Sequence, residues 1–183
     1  MTHATLDHGM RMHYKRLITA AVHAMLKKER LFAVGNCRHM RDGDVMSKYA
    51  KKPLINVSVV GLEPIDTSGT TECIIRVEYG QKANLSTIGE VGKTAIEANV
   101  MMRDALAGKK LSLPFCSTTN VFEHGYRENR TLAWREIFKQ YVVSREFMVY
   151  LIPNERWNKP AKSTLEVRRH RARKRNKGAA VRG

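Results

Sequence analysis

The chain has 183 residues, with 33 Lys and Arg against 17 Asp and Glu, a formal charge of +16 and a pI near 10. Apolar residues at 43% and charged residues at 27% match a folded globular chain and exclude wholesale disorder. No uncharged apolar run of about 18 residues offers a membrane span, so the excess positive charge points to a polyanionic partner.

Tyr14, Leu17, Ile18, Ala21, Val22, Met25 and Leu26 recur at helical spacing, with Lys15, Arg16, Lys27 and Lys28 outside the stripe. This predicts an amphipathic helix closed off by Gly35. The first 30 residues contain only Asp7 and Glu29 as acids, so the segment also suits an organelle import signal. Asp42–Lys52 reads as a short helix stopped by Pro53.

Ile55, Val57 and Val59 then alternate with Asn56 and Ser58, predicting a strand over Leu54–Val60. Pro64, Asp66, Ser68 and Gly69 give Gly61–Thr71 turn chemistry. The alternation of Cys73, Ile75, Val77 and Tyr79 predicts a second half-buried strand, and Ala83–Thr87 a weaker third. After Gly89, the positions Val91, Ala95, Ala98, Met102 and Ala105–Leu106 step by three and four, predicting a helix capped by Gly108.

Beyond Gly108, Leu111–Phe115 reads as a short strand and Glu123–Glu128 as a polar loop. Leu132, Trp134, Ile137, Phe138, Tyr141 and Val142 step as a helix starting at Thr131, and Phe147–Ile152 as an apolar strand closed by Pro153. Trp134, Phe138, Tyr141 and Trp157 read as core or protein-interface residues ahead of base-stacking platforms.

Ten of the 33 basic residues fall in Lys159–Gly183, against the single acid Glu166, so this tail carries +9. With only Leu165, Val167 and Val181 as sizeable apolar groups, it gains order by charge neutralisation, not by burial. Arg168, Arg169, Arg171, Arg173, Lys174, Arg175 and Lys177 are its candidate phosphate contacts, because each cation that meets a phosphate releases counterions. A targeting run and a merely solvated terminus are the competing readings. The tail is similar to the basic extensions of ribosomal proteins.

Helix, antiparallel strands and Ala-rich helix over residues 42–108 form an α+β pattern that resembles the double-stranded RNA-binding domain. Val45–Lys52 matches its first helix, Pro53–Val60 its first strand, Pro64 its first hairpin loop and Cys73–Tyr79 its second strand. Lys93-Thr94-Ala95, with Ala98, opens the final helix, and Leu106 lies near its end. The resemblance implies RNA contacts at Lys48, Lys51, Lys52 and Lys93. It departs from the family where Glu63-Pro64-Ile65-Asp66 replaces the Gly-Pro and His of the hairpin loop. It departs again where Lys93 stands alone, with Glu90 and Glu97, in place of several lysines. The chain is thus divided into a helical extension at 1–41, the α+β unit at 42–108, a packed extension at 109–158 and the tail at 159–183.

No constellation announces catalysis, so no catalytic residue is assigned. Gly89–Thr94 imitates a phosphate-binding loop, but Thr87 stands where the first glycine is needed. The seven histidines are scattered, Cys37 and His39 have no second pair, and no metal or cofactor is assigned. The three cysteines Cys37, Cys73 and Cys116 build no disulfide framework and fit a reducing compartment. Asn129-Arg130-Thr131 fits a glycosylation acceptor, without a secretory signal to support it.

The expectation is a structural ribonucleoprotein component, a ribosomal and possibly mitochondrial protein. It binds rRNA through its tail and docks by shape on neighbouring ribosomal proteins, with no membrane and no small-molecule substrate. The alternative function is a transient RNA-processing factor using 42–108 on duplex RNA, and the alternative location to the mitochondrion is the cytoplasm or nucleolus.

Overall fold

In the computed structural model, which describes residues 8–40, 52–83, 87–125, 133–135 and 140–154, the N-terminal stripe forms α1 (His8–Leu26). Tyr14, Ile18, Val22 and Leu26 are buried on one side of it, as their spacing requires. The helix ends well before Gly35. A single 3-10 turn, Arg30–Phe32, follows and buries Phe32 against Tyr79 with ring centres 5.8 Å apart. The two-residue strand β1 (Arg38–His39) then pairs in parallel with the start of β2 (Leu54–Pro64).

The antiparallel hairpin of β2 and β3 (Thr71–Gln81) carries the alternation seen in the sequence. Ile55, Val57 and Val59 join Cys73, Ile75, Val77 and Tyr79 in the core. The register shifts between Val59 and Gly61, so Val60 turns outward and β2 runs on to Pro64, further than the sequence signals. The loop is tied by Asp66, whose carboxylate accepts the Thr70 amide (2.8 Å) and the Ser68 hydroxyl (2.7 Å); these bonds hold its pKa below the usual carboxylate value.

Helix α2 (Ile88–Leu106) buries Val91, Ala95, Ala98, Met102, Ala105 and Leu106, and Gly108 follows with φ of +75°, a conformation that glycine adopts without steric cost. After it come three short strands, β4 (Cys116–Thr118), β5 (Phe122–His124) and β6 (Ala133–Arg135), and the long β7 (Gln140–Pro153). The sheet order is β1-β2-β3-β7-β4. β7 pairs antiparallel with β3 from Tyr141 to Leu151, while β6, β5 and β4 tile its other edge in turn. Both helices contribute to one core with the inward side chains of β2, β3 and β7, and Tyr14 stacks on Phe115 at 4.3 Å. The architecture is α+β.

Several sequence expectations change. β3 has one edge on β2 and the other on β7 along its length, so no strand from Ala83–Thr87 can add to it; Ala83 and Thr87 lie outside strands, and residues 84–86 lie outside the described residues. The third central strand thus enters after α2, whereas the double-stranded RNA-binding domain places it before. Leu111–Phe115 is not a strand. The Leu111 amide and carbonyl both bond the Thr118 hydroxyl (3.1 Å each), and pairing starts at Cys116. Glu123 and His124 belong to β5, not to a loop. Of the helix expected from Thr131, residues 133–135 form β6 and residues 140–142 open β7, because the open edge of β3 extends the β-branched run Val142-Val143; residues 131, 132 and 136–139 lie outside the described residues. The helix expected over Asp42–Lys52 falls on residues 42–51, outside the described residues.

Gly80 sits between Leu54 of β2 and Val142 of β7. A Cβ there would stand 2.7 Å from the Gln140 side-chain oxygen, 3.1 Å from Leu54 and 3.2 Å from Val142. Gly80→Ala is therefore expected to cost about 1–3 kcal/mol by overpacking, read as an earlier midpoint in urea unfolding.

Candidate nucleic-acid interface

From His8 to Leu26 helix α1 contains no acidic residue, and Lys27 and Lys28 follow it in the next turn. Burial of Tyr14, Ile18, Val22 and Leu26 fixes the helix rotation and leaves Arg16, Lys27 and Lys28 exposed. Arg16, Thr19 or Ala20, His23 and Lys27 step by three and four and so share one side-chain row. That row overlooks β1 and β2 across a cleft of about 390 Å³. Arg16, Thr19, His23, Lys27 and His39 supply its polar lining, Met40 and Val57 its apolar part. No acidic residue lines it among the described residues.

His39 arrives through β1, whose parallel pairing sets it opposite Ile55. Its Nε2 lies 2.7 Å from the Phe32 carbonyl oxygen, which only accepts, so Nε2 carries the proton. In the neutral ring Nδ1 is then an acceptor, and it meets His23 Nδ1 at 2.8 Å as donor. The rings meet edge to face, 4.9 Å apart. Burial, then His39, then Lys27 push the His23 pKa down to about 4, against the pull of the Met40 carbonyl. Burial likewise lowers that of His39, with Lys27 adding to it and the Phe32 carbonyl opposing. At neutral pH the pair is uncharged, and the cleft's fixed charge comes from Arg16 and Lys27.

Of the residues expected to touch RNA, Lys52 is exposed and donates to the Gly35 carbonyl (2.9 Å), close to β1 in the chain. Lys93 is exposed on α2, and neither residue lines the cleft. Gly89–Thr94 lies inside α2, which starts at Ile88, so it forms helix and not a phosphate-wrapping loop. Lys48, Lys51 and the tail residues Arg168, Arg169, Arg171, Arg173, Lys174, Arg175 and Lys177 lie outside the described residues. The sequence showed Arg16 and Lys27 as a basic flank but gave no sign of the histidine pair, whose members are 16 residues apart.

A second polar cluster lies inside the fold. Arg145 of β7 is 6% exposed and Asn99 of α2 is 7% exposed. The Arg145 guanidinium donates through Nε (2.9 Å) and Nη2 to Asn99 Oδ1, and Nη1 faces Glu123 Oε2 of β5 at 2.7 Å. This triad ties α2 to two strands and serves the fold. Burial pushes the thiols of Cys37, Cys73 and Cys116 up to about 12, which keeps them unreactive. Among the described residues, no three His, Cys, Asp or Glu are placed to hold a metal, and no helix is long and apolar enough to cross a membrane.

No family model matches the chain, and no curated protein sequence matches it. Among solved structures it is similar to a chain of the virion of a native gene transfer agent particle, at 13% identity and a TM-score of 0.49. That match covers 74% of this chain and 94% of the other.

Proposed function

We propose that this protein is a structural component of a ribonucleoprotein particle, with a ribosome, and among ribosomes a mitochondrial one, as the first particle to test. The α1 row and its cleft rest against RNA phosphates, while the Arg- and Lys-rich tail follows the backbone further away. The observation that carries the reading is α1, which has no acidic residue from His8 to Leu26 and sets Arg16 and Lys27 along the cleft. The overall charge of +16 and the +9 tail support the same partner. We route no duplex contact through 42–108, since Glu90 is exposed beside Lys93 on α2.

Affinity of the full chain for single-stranded RNA, measured by fluorescence anisotropy from 50 to 300 mM salt, tests this. Affinity is expected to fall linearly with the logarithm of salt concentration, by about 0.7 in slope per phosphate contact. Arg16→Gln with Lys27→Gln is expected to reduce that slope by about 1 to 2. Binding that ignores salt, or a slope unchanged in the double variant, overturns the α1 assignment.

A further inference from the structure

We propose that the outer face of the sheet, at the end of the β2–β3 hairpin loop, is a docking surface for this chain's own C-terminal tail, which RNA displaces. The proposal rests on the reading of the tail as an RNA-binding segment and adds to it a competing partner within the chain.

Both helices pack on the inward side chains of β2, β3 and β7, and the alternate residues of these strands face the other way. On that outer face the register lines up an apolar row across four strands. Val60, turned outward by the shift in β2, stands beside Ile74 of β3; Ile74 is opposite Met148 of β7, and Met148 is opposite Phe122 of β5. Val60 and Phe122 are 44% and 48% exposed, and Ile152 near the end of β7 is 45% exposed. None of these five side chains belongs to the core cluster. Contiguous exposed apolar side chains of this kind mark interaction surfaces.

Charge decides what covers the row. Next to it along the strands, Glu63 stands directly opposite Glu72, and Glu72 opposite Tyr150. Like charges so placed repel. Among the described residues no cation is paired with either carboxylate, and Arg76 on the same face is bound to Glu146 (2.8 Å). RNA phosphates are repelled here, and a second copy of the same face would bring two more carboxylates. A cationic segment with apolar side chains fits.

The chain supplies one at the right place. Leu151 is opposite Thr71 and β7 ends at Pro153, so the chain leaves the sheet at the end where Glu63 and Glu72 lie. β2 is two strands away from β7, about 10 Å. The five residues that follow Asn154, up to Lys159, reach about 16 Å when extended. Lys159 and Lys162 thus come within range of both acids, and Trp157 and Leu165 offer apolar side chains to the row. The tether makes the encounter intramolecular, at an effective concentration on the order of millimolar.

Carbodiimide crosslinking of the RNA-free full chain at low salt, mapped by mass spectrometry, tests the surface. Amide links from Glu63 or Glu72 to Lys159 or Lys162 are expected within the monomer, and a single-stranded RNA oligonucleotide is expected to abolish them. Glu63→Gln with Glu72→Gln is expected to raise affinity for that RNA at least about twofold. Glu90→Gln with Glu97→Gln, the same charge change on exposed positions of α2, is expected to raise it less. Absence of links in the monomer, links formed only between two copies, or equal gains in the two double variants overturn the proposal. If links are absent while salt-dependent RNA binding persists, only the docking surface falls. If the links form and RNA neither binds nor displaces them, the RNA reading falls and the docking surface stands.

Discussion

Arg145→Ala is expected to lower unfolding stability by about 3–5 kcal/mol, the range for removing one partner of a buried charged pair. Two groups depend on that guanidinium. Asn99 Oδ1 would lose both its donors while remaining buried in α2. Glu123, with its side chain 25% exposed, would keep a charge with poor access to water. The removed side chain would also leave a void beneath α2, at a position where Val143, Phe147 and Val149 on either side are fully packed. Urea unfolding followed by circular dichroism measures the loss. Arg145→Met, which fills the space and lacks the charge, is expected to cost clearly less when combined with Glu123→Gln, because no unpaired ion then remains. If the double variant is as unstable as Arg145→Ala, the pairing is not what the residue contributes.

The second large effect is loss of stability on acidification. In the folded protein the His23 pKa is lowered to about 4, while in the unfolded chain it returns to about 6.5. As pH falls below 6.5 the unfolded chain therefore takes up a proton that the folded one refuses. The stabilisation is fully present above pH 6.5 and is lost progressively down to about pH 4, by up to about 3 kcal/mol. Asp66, held below its usual value by Ser68 and Thr70, contributes in the opposite sense of ionisation and only at lower pH. Chemical denaturation at half-unit steps from pH 7.5 to 4.5 separates the two. His23→Gln is expected to flatten the profile in this window; a profile as steep as that of the parent protein would place the effect elsewhere.

Local periodicity made much of the fold legible. The buried row Tyr14, Ile18, Val22 and Leu26 was visible as a helix, and the inward residues of β2 and β3 were visible by alternation. So was α2 with its glycine cap. What stayed hidden was decided between distant segments. Tyr141 and Val142 are spaced for a helix from Leu132, yet they form a strand because Gln81 and Gly80 offer the edge that receives them. β4, β5 and β6 have three residues each, too few for any period to show. The order of strands around α2 followed from this, and it separates the fold from the topology that the resemblance implies.

The site was legible by half. The acid-poor, basic flank of α1 stood out in the sequence, but the cleft exists because a two-residue strand brings His39 back to His23. No spacing rule covers such a contact. The tail signal, ten cations in 25 residues, is compositional and remains a reading of the sequence.

The most direct test of the proposed RNA role is photochemical crosslinking of the full chain to RNA in cells, followed by mapping of the crosslinked peptides. Crosslinks are expected in the α1 segment around Arg16 to Lys27, in the Arg38–Met40 segment, and in the tail from Lys159 onward. Crosslinks confined to α2 and the polar face of the sheet, with α1 and the tail unmarked, would contradict the account.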